Sequence, residues 1–131
     1  MKDSLNFNQA TGLFILDTKE FEMEVVYNYV TGRPEDVAST VVRKISAYTR
    51  DSIVRWFKIG ITNDPEGRSN GHKRHYDRMM VIYSSSSLKS VRDLECELIE
   101  HNREIADNFI GGGGGRVGAA PHFMYVVVRY W

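Results

Sequence analysis

Arg68 and Glu95 are the residues of this chain whose types and settings suggest shared chemistry. Arg68 lies just after the strand-like run Trp56-Phe57-Lys58-Ile59-Gly60-Ile61-Thr62, near the start of a polar helical segment. A planar guanidinium with five donors in that place could grip a phosphate. Glu95 falls inside the apolar stripe Leu88, Val91, Leu94, Leu98 and Ile99 of a later helical segment, whereas Glu97 and Glu100 point to water. An ionised carboxylate is costly to bury unless it is paired or holds a cation. Glu95 is therefore expected to face a cleft, a cation or a partner, with a structural salt bridge as the plainer alternative. His72, one turn after Arg68, could donate to the same phosphate or take a proton. His75 shares that face and Lys73, Arg74 and Arg78 add charge, but a solvated surface accounts for them. Together these residues point to phosphodiester chemistry.

The elements that must position them can be read from periodicity. Gly12 to Leu16 and Phe21 to Val30 read as two strands joined by a polar turn, the second alternating Glu22 and Glu24 against Phe21, Met23 and Val25. Residues 1–10 read as loose. Thr31-Gly32-Arg33-Pro34 breaks the strand and starts a helix to about residue 51, with Val37, Val41, Ile45 and Tyr48 on one stripe. Residues 54–62 read as a strand. Asn63-Asp64-Pro65-Glu66 caps a helix expected to run to about 77. Met79 to Tyr83 forms a short buried strand, Leu88 to about Arg103 an amphipathic helix, and Phe123 to Tyr130 a closing strand. Residues 106–120, with glycines from Gly111 to Gly115, read as a loop. They lack the strand–glycine–helix context of a phosphate-binding loop. The expected fold class is α+β, with a small, mostly antiparallel sheet flanked by helices.

The 131 residues suit one domain. Hydrophobic residues make up 42% and charged ones 26%, a globular balance that argues against general disorder. Seventeen Lys and Arg against 17 Asp and Glu leave no net charge, so any grip on nucleic acid must come from a local patch. Cys96 stands alone, which excludes an intrachain disulfide. No stretch resembles a signal peptide or a membrane span, and the chain is expected to be soluble and intracellular. Four histidines without ligand-spaced partners give no zinc motif.

The segment from about 56 to 108 resembles the GIY-YIG nuclease superfamily. Lys58-Ile59-Gly60 stands where that family has its Tyr-Ile-Gly strand, in a Lys-Ile-Gly variant. Arg68 lies eight residues after Gly60, as the family's helix arginine does, and His72 follows one turn on. Leu94-Glu95-Cys96-Glu97-Leu98-Ile99 resembles the family's glutamate helix, and Asn108 falls where an asparagine often ends it. The resemblance implies a single GIY-YIG-like domain with an N-terminal hairpin extension over 1–33 and a motif-bearing core over 54–108. It implies a divalent-metal-dependent endonuclease that hydrolyses DNA. Glu95 would hold Mg²⁺ or Mn²⁺, Arg68 would offset charge on the phosphate, and a tyrosine assisted by Lys58 would deprotonate water while His72 supports the phosphate or relays a proton. The family's first Gly-Ile-Tyr strand is not visible, and three tyrosines could supply its phenol. Tyr48 has the spacing but lies in a helical pattern. Tyr125 in the last strand would need a rearranged sheet. Tyr27, in a clear strand, is favoured. No separate DNA-reading domain is evident, so specificity would come from a homodimer, a partner protein or the N-terminal extension. The zero net charge and missing first motif favour a second reading, a catalytically inactive nucleic-acid-binding or protein-interaction module on the same fold, where Arg68 and Glu95 could simply pair.

Overall fold

A computed structural model describes residues 5–8, 13–16, 23–102 and 118–131. In chain order the elements are β1 (Leu5–Asn8), β2 (Leu13–Leu16), β3 (Glu24–Val30), α1 (Pro34–Thr49), β4 (Val54–Thr62), α2 (Pro65–His72), β5 (Arg78–Ser85), α3 (Leu88–His101) and β6 (His122–Tyr130). Strands β3, β5, β6 and β4 form one sheet in that spatial order. β3 pairs with β5 in parallel, and the β5–β6 and β6–β4 pairs are antiparallel. The fold is α+β, as the pattern of elements predicts, and two of the three strand pairings are antiparallel while the β3–β5 pairing is parallel.

Each helix starts where its capping chemistry places it. In α1, Pro34 occupies the first turn with Glu35 and Asp36, whose charges suit the positive end of the helix dipole. Gly32, at φ 127°, turns the chain out of β3 before it, a conformation that side-chain-bearing residues resist. In α2 the Asp64 carboxylate accepts from the Gly67 backbone N–H at 3.1 Å. In α3 the Ser87 hydroxyl accepts from the Ser90 N–H at 3.1 Å.

The sheet has two dressed faces. Val41 and Ile45 of α1 and Val91, Leu94, Leu98 and Ile99 of α3 close over Phe57, Ile59, Met80, Ile82, Met124, Val126 and Val128 on one face. The other face carries a smaller cluster of Met23, Tyr76, Met79, Val81, Tyr125 and Val127, and α2 lies against it. Alternate residues of β6 serve the two clusters, as the two-residue pleat of a strand requires. β5 and β6 are the inner strands and are almost wholly buried, which explains their continuous apolar runs.

Three expectations are corrected. The predicted hairpin between Gly12–Leu16 and Phe21–Val30 is not the pairing found: β2 pairs antiparallel with β1, inside the segment read as loose, and β3 joins the main sheet beside β5. The helix expected to reach residue 77 ends at His72. Two glycines, Gly67 and Gly71, weaken it, and the next turn breaks away so that Tyr76 can bury its ring beneath the sheet. His75 is therefore not on the α2 face that bears Arg68 and His72. Asn108 and the Gly111–Gly115 run lie outside the described residues. Among the described residues no helix is long and apolar enough to cross a membrane.

Candidate active site around Tyr125

One row of backbone partners crosses the sheet and organises the site. Tyr27 of β3 pairs with Val81 of β5, Val81 with Tyr125 of β6, and Tyr125 with Gly60 of β4. Partners in register share a face, so Tyr27 and Tyr125 both point toward α2, two strands and about 10 Å apart. The Tyr27 hydroxyl donates to Glu66 at 2.7 Å, and the Tyr125 hydroxyl meets His72 Nε2 at 2.8 Å. Glu66 and His72 are six residues apart along α2, a rise of about 9 Å. The helix is thus laid across the sheet and fastened at both ends by tyrosines. The Tyr27–Glu66 contact is exposed and the Tyr125–His72 contact part-buried, and Arg68 is carried between them.

Of the three tyrosines weighed from sequence, Tyr125 is the one that the structure brings against His72. Its side chain is 1% exposed, whereas Tyr27 is 48% exposed and engaged with Glu66 at the sheet edge. The Arg68 charge favours the ionised form of the Tyr125 phenol, and the Glu95 carboxylate opposes it. Lys58 acts on both His72 and Glu95. Arg68, His72 and Glu95, singled out from sequence, therefore converge on Tyr125, and Lys58 joins them through His72 and Glu95. Tyr48 accepts from the Asn28 side chain and packs on the α1 core, away from this constellation. The signal that points to Tyr125 is Gly60: a glycine inside a buried strand marks a close approach by another group. A Cβ built on Gly60 would overlap the Tyr125 hydroxyl and ring. Gly60→Ala is expected to cost about 1–3 kcal/mol by overpacking, and to push the hydroxyl off His72. Thermal melts, together with loss of the hydroxyl–imidazole contact in a structure of the variant, check this.

Burial sets the protonation states. His72 is pushed down to about 4, first by desolvation and then by Lys58, Arg68 and His75, so its imidazole is neutral at physiological pH. Burial raises Tyr125, with Arg68 opposing the shift, so the phenol keeps its proton. Desolvation outweighs Arg68, the cation that favours the phenolate. With His72 neutral, Nε2 is free to accept the phenol proton in the tautomer that carries hydrogen on Nδ1. Glu95 is 6% exposed and held up at about 7 by burial, which Arg92 and Lys58 only partly offset.

The structure also tests whether Arg68 and Glu95 merely pair. Among the described residues no ion pair joins them. Glu95 Oε2 is buried without a hydrogen-bond partner. An ionised carboxylate in that state destabilises the fold unless it takes a proton or meets a cation. Among the described residues no cluster of three His, Cys, Asp or Glu could chelate a metal on its own. A single carboxylate nevertheless fits Mg²⁺, which keeps most of its waters and commonly binds through one or two carboxylates and a substrate phosphate. A recess of about 480 Å³ lined by Thr31, Gly32, Arg33 and the serines from Ser84 to Ser87 shares none of these residues. Comparison with protein-family models, curated proteins and solved structures gives no match to this chain.

Proposed function

We propose that the chain is a divalent-metal-dependent endonuclease that hydrolyses DNA phosphodiester bonds, built as a rearranged relative of the GIY-YIG nucleases. In this reading the strand that supplies the tyrosine follows the Lys-Ile-Gly strand in the chain instead of preceding it. The observation that carries the proposal is the Tyr125 hydroxyl, 2.8 Å from the neutral His72 imidazole and within reach of Arg68. Alone, a buried phenol is a poor base. Coupled to a neutral imidazole, it can pass a proton on.

The step follows from those states. The phenol donates to His72 Nε2, which leaves a lone pair of the Tyr125 oxygen for the attacking water. As the water oxygen bonds to phosphorus, its proton moves to Tyr125 and the phenol proton moves to His72. The P–O bond to the leaving oxygen breaks, and that oxygen takes a proton from solvent. Arg68 faces the charge that builds on the non-bridging oxygens. Burial first, and Lys58 after it, keep His72 neutral, and Arg92 and Lys58 draw Glu95 toward its ionised form. A Mg²⁺ or Mn²⁺ ion on Glu95 would supply Lewis-acid polarisation of the scissile phosphate.

Purified protein is expected to nick supercoiled plasmid in Mg²⁺ or Mn²⁺ and to stop in EDTA. Arg68→Ala is expected to lower the rate by about 10²-fold or more. Nicking that survives this substitution at full rate would place the activity elsewhere.

A further inference from the structure

We propose that Arg55, Trp56 and Trp131 form a stacking platform for an unpaired base, which makes DNA with a single-stranded segment the favoured substrate class. The inference rests on the proposed nuclease reading for its link to cleavage, but the platform itself is defined by its own geometry. Trp131 is 80% exposed. It is nevertheless placed, because its backbone N–H donates to Ile53 at 2.9 Å. The Arg55 guanidinium lies 4.4 Å from the centre of the Trp56 ring and 4.9 Å from that of Trp131. One cation thus stacks against both indoles, and Trp131 keeps most of its ring surface open to solvent.

The platform is continuous with the site. Trp56, Lys58 and Gly60 alternate along β4 and so share a face, paired respectively with Arg129, Val127 and Tyr125. Trp56 packs on the cluster that contains Tyr125. From Gly60 to Trp56 the strand advances about 14 Å, a length that a few nucleotides can bridge. β4 is an edge strand, so this line of residues lies at the rim of the sheet.

Charge chooses the occupant. Arg55, Lys58 and Arg129 are the ionic groups along this stretch of β4 and β6. The Asp77 carboxylate beside them is already engaged by Arg129 and by the Tyr130 N–H. Among the described residues no carboxylate pairs with Arg55. A cationic strip ending in an open indole matches a chain with anionic phosphates and flat bases. A base inside a duplex has both faces covered by its neighbours, so the platform selects a strand that is unpaired at this point.

The test uses the full chain in EDTA, where binding is read without cleavage. Oligothymidylate is titrated while tryptophan fluorescence is followed, and a blunt duplex of equal length serves as competitor. Quenching is expected, with Trp131→Ala weakening affinity by about tenfold or more and Trp131→Phe recovering most of the loss. Trp131 is exposed, so an unchanged melting curve accompanies these variants. Equal affinity of Trp131→Ala and wild type, or a preference for the blunt duplex, overturns the platform. A protein that binds oligothymidylate in this Trp131-dependent way yet cleaves nothing in Mg²⁺ keeps the platform and removes the nuclease.

Discussion

Glu95→Gln is expected to make the protein more stable and inactive at once. The carboxyl is held at about 7 in the folded chain, against an ordinary value of 4.5. Between those two pH values the folded state binds a proton that the unfolded state does not. Stability associated with Glu95 is therefore present at low pH and declines as pH rises through 7. At pH 8 the ionised, unpaired side chain costs up to about 3 kcal/mol. A neutral amide of the same shape removes the charge, and a rise of about 3–6 °C in melting temperature is expected at pH 8. The gain should fade below pH 4.5, where both states carry the proton. Nicking should fall by about 10²-fold or more, because the carboxylate charge is what a cation needs. Melts at pH 4.5 and pH 8 beside plasmid assays give both halves of the result. A drop of several degrees at pH 8 would mean that Glu95 holds the fold through a partner, and the site would lose its anion.

Tyr125→Phe is expected to remove most of the activity while leaving the fold. The ring stays in its slot above Gly60, and only the hydroxyl is lost. Losing a positioned proton-transfer group typically slows a reaction by about 10²–10⁴-fold. The structural cost is one hydrogen bond to His72, about 1 kcal/mol. Tyr27→Phe removes an exposed contact to Glu66 and is expected to change stability and rate by no more than about 0.5 kcal/mol. Single-turnover cleavage of a labelled oligonucleotide separates the two, since it excludes product release. A large effect at Tyr27 and a small one at Tyr125 would restore the tyrosine that the sequence favours.

Much of this architecture was legible from residues alone. The strand at 54–62, the Asp64 cap and the Glu95 stripe are local patterns, and local patterns survive folding. The proposed tyrosine, Tyr125, was harder to place, because it depends on which strand becomes the neighbour of Gly60. The run Tyr125-Val126-Val127-Val128 announces a buried strand, but its pairing with β4 is settled by tertiary packing some 60 residues away in sequence. The parallel neighbour of β3 was hidden for the same reason. Alternation along Glu24–Val30 describes a strand with one wet face and is silent about its partner. The early end of α2 had a visible cause in Gly67 and Gly71. Its deciding force is the burial of Tyr76 with Met79 and Val81, which no helical period contains.

The most direct test is the nicking rate in Mg²⁺ of three proteins side by side: the wild-type chain, Tyr125→Phe, and the Tyr125→Phe/Glu95→Gln double variant. Groups that act as one unit lose their effect together, so wild type should nick, the single variant should fall by about 10²–10⁴-fold, and the double variant should fall little further. An inert wild-type protein, or a Tyr125→Phe variant that nicks at the wild-type rate, would contradict the account.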